Sequence, residues 1–314
     1  MRADRQRRRY EIKVKQYTVK HVLGNFSEWQ IDEEKYLELS KALEVLTRAY
    51  VFEEQYDLLT GNYSEFEKAI MEAVIDGIVF YRAGYLNYHV VRGQFHRRII
   101  NLLTSTKLYR DRASSHVKVM SYGDTSKAEA DYLFSRMYDE NIEFRFMEAY
   151  RNHVQHQAIR IDRLVTGGDV LDHENGSEEH SLYMGISKET LAQHSKFKKN
   201  VLAELPDQID LMGYIRKYLS CIAYFHQFGR DRAREPVKAA REALSSCVTE
   251  FCSRSGAIPP GIYLVVTESG KITSQNALTL EWDDVRMELE KRNHYRPNLE
   301  KNYATGKTKQ LKTS

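Results

Sequence analysis

An arginine, an amide and an imidazole stand within six residues of one another at Arg151, Asn152 and His156, in the run RNHVQH. His156 suits proton transfer because an unperturbed imidazole titrates near ~6.5, close to neutral pH. Arg151 stays charged throughout, and its planar fork matches the oxygens of a phosphate or a carboxylate. Asn152 precedes His156 by about one helical turn, from where its amide can orient the imidazole or bond the same anion. The set suits acid–base chemistry beside a developing negative charge. Arg151, Asn152 and His156 are the catalytic candidates, with Glu148, His153 and Gln155 as supporting candidates.

These residues need a helix to hold them. At 3.6 residues per turn, Phe144, Met147, Val154, Ala158 and Ile161 fall on one side of the stretch FRFMEAYRNHVQHQAIR, and Arg151 falls within that stripe. A full charge on an apolar side is costly unless it is paired, reaches the rim or faces a partner. Glu148, Asn152 and His156 follow at successive i,i+4 steps as a polar strip beside it. Simpler roles exist for each: Arg151 paired with Glu148 in a structural salt bridge, His156 as a surface histidine. His153 and His156 could share a metal, but spacing places no third ligand, so no metal and no cofactor are expected. Looser Arg-to-His spacings occur at Arg82–His89 and Arg110–His116.

The Arg151-Asn152…His156 pattern, with Phe144, Phe146 and Glu148 upstream and Gln155 before the histidine, resembles the signature of the HEPN superfamily of helical RNA-cleaving and RNA-binding proteins. The resemblance spans Ser64 to Arg163. It implies a metal-independent endoribonuclease that cuts single-stranded RNA at a site shared by two copies of the chain, in a toxin-like or anti-phage setting where an antitoxin or silencing protein would be a partner. The homodimer supplies a second imidazole, so that acid and base are separate groups. In the toxins silenced by a nucleotidyltransferase a tyrosine lies two residues after the histidine; here that residue is Ala158, which speaks against this control. The rival is a non-catalytic HEPN-like scaffold that holds RNA, a nucleotide or a protein.

The rest of the chain is read as the frame for this helix. With 314 residues, 42% hydrophobic and 29% charged, it can bury a sizeable core. A net charge of +3 is too small to announce nucleic-acid binding, so phosphate contacts must come from local clusters such as Arg97-Arg98, Lys196 with Lys198-Lys199, or Arg230, Arg232 and Arg234. The three cysteines lack CxxC spacing, no apolar run approaches the ~20 residues that span a bilayer, and the basic N-terminus has no apolar core behind it. A reducing cytoplasm and no membrane partner are expected.

The fold class expected is mainly α, a multi-helix bundle with a small C-terminal β-hairpin plus helix. Residues 1–25 read as an extended segment and 26–165 as the HEPN-like bundle carrying RNHVQH. Further helices over 166–256 pack on it, 257–295 form the hairpin and helix, and 296–314 a basic solvated tail. Within this scheme Gly61 closes one helix and a Ser64/Glu67 capping box opens the next. Asp169–His180 is an acidic loop, and Pro236 sits in the first turn of a new helix.

Overall fold

Two long helices set the frame. In the computed structural model, which describes residues 15–24, 26–80, 84–156, 161–193, 197–296, 298–302 and 304, α1 runs over Glu33–Val79 and α7 over Leu211–Ser255. Between them lie α2 (Tyr85–Met120), α3 (Asp124–Glu140), α4 (Ile142–His156), β3 (Arg163–Asp172), β4 (Ser177–Ser187), α5 (Lys188–Ala192), α6 (Lys199–Glu204) and β5 (Gln208–Asp210). Two strands, β1 (Lys15–His21) and β2 (Glu28–Ile31), precede α1; β6 (Ile262–Glu268), β7 (Lys271–Ala277) and α8 (Glu281–Arg292) follow α7. The described chain is mainly helical, with two small antiparallel sheets. No described helix is long and apolar enough to cross a membrane.

The chain divides into two units. One holds the described residues up to Tyr50 together with Arg234–Met287, and the other Val51–Ala233 with those from Glu288 onward. In the first, the strands order as β2-β1-β6-β7. The N-terminal strand and the C-terminal hairpin, read from sequence as separate attachments, are thus one sheet: Tyr17 lies opposite Val266 and Val19 opposite Leu264. The hairpin itself turns where expected, at Ser269 and Gly270, both with positive φ, as a two-residue turn demands. Residues 1–14, including Tyr10, Ile12 and Val14 of the expected alternation, lie outside the described residues.

Two expected helix boundaries do not exist. α1 passes through Gly61 and Ser64 without a break, because a glycine costs a helix only about 1 kcal/mol while Leu59, Phe66 and Ile70 on either side are buried. Glu67 does not close a capping box; both its oxygens accept from Arg216, at 2.8 Å each. α7 likewise runs through Pro236, where the buried series Ala233, Val237, Ala240 and Leu244 carries the helix past the lost hydrogen bond.

The acidic stretch taken for a loop is strand and turn. β3 and β4 pair from Arg163 opposite Gly185 to Asp172 opposite Ser177, with an irregularity between Val170 and Asp172. The turn is held by Asp172, whose carboxylate accepts from the Glu174 backbone N–H at 2.9 Å and from the Asn175 amide at 2.6 Å. The start of the expected free tail is tied down as well. Leu299–Lys301 forms a 3-10 turn, and Glu300 accepts from Ser220 and, at 3.3 Å, from Lys217. Hydrogen bonds from both hold the Glu300 carboxyl below its usual range although partial burial opposes them. Residues 305–314 lie outside the described residues.

Candidate functional site

All six sequence candidates lie on α4, in the second unit. Its buried surface is broader than a single stripe, since Phe144, Phe146, Met147, Ala149, Tyr150 and His153 are all buried. Phe146 stacks on Tyr150 at 5.3 Å, and the His153 ring lies 6.4 Å from Tyr150 and 5.9 Å from Phe197. His153 is therefore part of the packing. Among the described residues no cluster of His, Cys, Asp or Glu has the arrangement of a metal site.

Arg151 and Asn152 emerge at the helix end. Arg151 is half-buried and Asn152 exposed, and the Arg151 Nη1 donates to Asn152 Oδ1 at 2.7 Å. The Arg151 Nε is buried and has no hydrogen-bond partner among the described residues. His156 and Gln155 belong to α4 by their backbone, one helical turn on, but their side chains lie outside the described residues, as does Ala158.

Glu148 does not join Asn152 in a solvated strip, and it does not pair with Arg151. It is 8% exposed, accepts from Tyr218 Oη at 2.5 Å and forms an ion pair with Arg110 of α2. The Arg110 guanidinium lies between the Phe134 and Phe144 rings, 5.8 Å from each centroid. Burial, then the adjacent Glu148 charge, push the Tyr218 hydroxyl well above its usual range. Arg151 is close enough to Tyr218 to oppose that shift. Arg110 and Tyr218 thus complete the surroundings of the motif helix. In the sequence Arg110 shows only as half of a loose Arg-to-His spacing and Tyr218 as one member of an apolar face.

Arg110 also floors an open polar cleft of about 610 Å³ between α2 and α3, where Lys107, Lys127, Ser114, Ser135 and Tyr138 meet. Its lysines are matched by carboxylates: Lys107 pairs with Asp111, and Lys127 with Asp131 at 2.6 Å. Nearby, Lys198 lies over the Tyr138 ring, 5.5 Å from its centroid. Lys196 lies outside the described residues. Two more of the basic groups are engaged, Arg98 with Glu65 and Arg232 with Glu129 at 2.9 Å.

Arg230, one of the candidates for a phosphate contact, is instead the edge of a buried network. It donates to both Glu53 oxygens, at 2.8 and 2.5 Å. His226 lies 3.2 Å from Glu53 through Nε2 and 3.0 Å from Tyr109 Oη through Nδ1, with the Tyr56 ring stacked on it at 3.7 Å. Burial alone would raise the Glu53 carboxyl, but the neighbouring His226 and Arg230 prevail and bring it down to about 2. Burial lowers His226 below its usual value despite Glu53.

No family model, no curated protein and no solved structure matches this chain.

Proposed function

We propose that the protein is a metal-independent endoribonuclease of HEPN type that cuts single-stranded RNA in a homodimer. The observation that carries the reading is the state of Arg151. Its helix-mate Glu148 is occupied by Arg110 and Tyr218, and among the described residues Arg151 pairs with no carboxylate and makes its one hydrogen bond to the next residue's amide. A half-buried guanidinium without an anion is costly, and a ligand phosphate relieves that cost. In this reading Arg151 and Asn152 hold the scissile phosphate and His156 moves a proton. The attack of a ribose 2′-OH on the adjacent phosphorus breaks the bond to the 5′ oxygen, which leaves with a proton, and yields a 2′,3′-cyclic phosphate. Glu148 acts through Arg110 and Tyr218 by fixing the helix that carries Arg151. The setting is a toxin-like or anti-phage one, with an antitoxin or silencing protein as partner.

The test is incubation of the purified protein with unstructured RNA in EDTA. Cleavage to 2′,3′-cyclic ends, lost in Arg151→Ala and in His156→Ala with the circular dichroism unchanged, supports the reading. RNA retained without turnover by the wild type favours the scaffold, in which the same Arg151 and Asn152 bind RNA, a nucleotide or a protein without chemistry.

A further inference from the structure

Among the described residues, the three-stranded sheet β3-β4-β5 leaves β3 at an edge over all ten of its residues. Natural edge strands are usually short, bulged or guarded by charge. The middle of this one, LVTGGDV, carries a single charge, and Val165, Val170 and Leu171 are 50%, 46% and 60% exposed. Leu164 and Thr166 also line a cavity of about 260 Å³ with Gly77 of α1 and with Gly84 and Tyr88 at the start of α2. Beside that cavity the end of α1 and the start of α2 expose Val79 at 63%, Tyr85 at 75% and Leu86 at 76%. An open edge that adjoins an apolar patch marks an interaction surface.

We infer that this surface is where two copies of the chain associate, β3 against β3 in antiparallel. The choice of a second copy rests on what the strand presents to itself. A two-fold axis normal to the sheet sets residues of one face opposite each other. With the axis at Gly167, Thr166 faces Gly168, Val165 faces Asp169, and Leu164 faces Val170. Beyond Val170 the strand carries its extra residue, since Val170 lies opposite Glu178 while Asp172 lies opposite Ser177. Passing over Leu171, Arg163 then faces Asp172. The pairing therefore sets two Leu–Val contacts and two Arg–Asp pairs symmetrically about a glycine at which an added Cβ meets nothing within 4 Å. Moving the axis to Gly168 leaves neither a Leu–Val contact nor an Arg–Asp pair, and moving it to Thr166 keeps an Arg163–Asp169 pair but sets Leu164 against Gly168. Of the three, only Gly167 gives both a Leu–Val contact and an Arg–Asp pair, which outweigh its Val165–Asp169 mismatch.

The inference rests on the homodimer of the proposed reading and assigns a surface to it; its test measures association rather than cleavage, so a dimer untouched by the substitutions below sinks the assignment alone, whereas a monomer at every concentration removes the proposed homodimer as well. Sedimentation of the full chain at micromolar concentration is expected to give a dimer. Arg163→Asp and Val170→Lys are each expected to weaken it by about tenfold or more, with circular dichroism unchanged. On the axis the two Cα atoms of residue 167 stand roughly 4.5–5.5 Å apart, within disulfide reach. Gly167→Cys is thus expected to cross-link the dimer under mild oxidation, and Glu174→Cys, in the hairpin turn, is not. A monomer at every concentration overturns the inference. So does a dimer untouched by both substitutions, or one in which Gly167→Cys fails to cross-link.

Discussion

The second unit holds two arginines that are used to opposite ends, Arg230 and Arg151. Around Glu53, the charged groups answer one another: Arg230 occupies both carboxylate oxygens, His226 bridges Glu53 and Tyr109, and aromatic rings close over the imidazole. At the end of α4, Arg151 meets an amide and no carboxylate among the described residues, and Glu148 on the same helix is held elsewhere. A satisfied buried network stabilises one conformation and is closed to ligands. A cation left without its anion stabilises little and is available to a ligand. Residue type alone does not separate the two cases; the position of the nearest carboxylate does.

Perturbing the closed network should have the largest effect on stability. Glu53→Ala leaves Arg230 and His226 buried without their anion and is expected to cost about 3–5 kcal/mol in urea unfolding. Next in size is Gly229→Ala. Its Cβ would stand 2.6 Å from the Phe52 ring and 3.1 Å from Val117, and Phe52 is itself stacked on His226 at 4.4 Å. Overpacking there should cost about 1–3 kcal/mol by the same measurement.

The network also predicts a direction with pH. His226 is held below its unfolded value by burial, so the unfolded chain binds its proton first as pH falls, and stability should decline from about pH 6.5 downward. Glu53 is held at about 2, below the unfolded value of ~4.3, so its contribution is complete above about pH 5 and is lost as pH falls toward 2. Urea midpoints measured across this range should fall with acid, and the fall between pH 5 and 2 should be shallower in Glu53→Gln. A wild type whose midpoint stays level from pH 7 to 3 contradicts this assignment. At the open site the effect on stability should be the smallest. Arg151→Ala is expected to change unfolding by less than about 1 kcal/mol, because it removes a charge without orphaning a partner carboxylate.

The sequence exposes the members of these sites unequally. Arg151 and Asn152 are legible because α4 is strongly periodic, and most helices are legible for the same reason. Helix ends were not. Gly61 and Pro236 look like stops, yet their local costs are smaller than what Leu59, Phe66, Val237 and Leu244 gain by burial. β3 shows no alternation because it is exposed on both faces for most of its length. The pairing of β1 with β6 joins segments too far apart in the chain for any local pattern to announce. Arg110 and Tyr218 reach Glu148 from helices α2 and α7, and nothing in their own neighbourhoods indicates that convergence.

The comparison between the closed and the open arginine turns most directly on one measurement: the rate of single-stranded RNA cleavage in EDTA by the wild type and by Arg151→Ala, with Arg230→Ala alongside and its folded fraction measured. The account predicts cleavage by the wild type, none by folded Arg151→Ala, and by Arg230→Ala a rate reduced only in proportion to the protein it leaves unfolded. Cleavage undiminished in Arg151→Ala, or a wild type that binds RNA and never cuts it, contradicts the account.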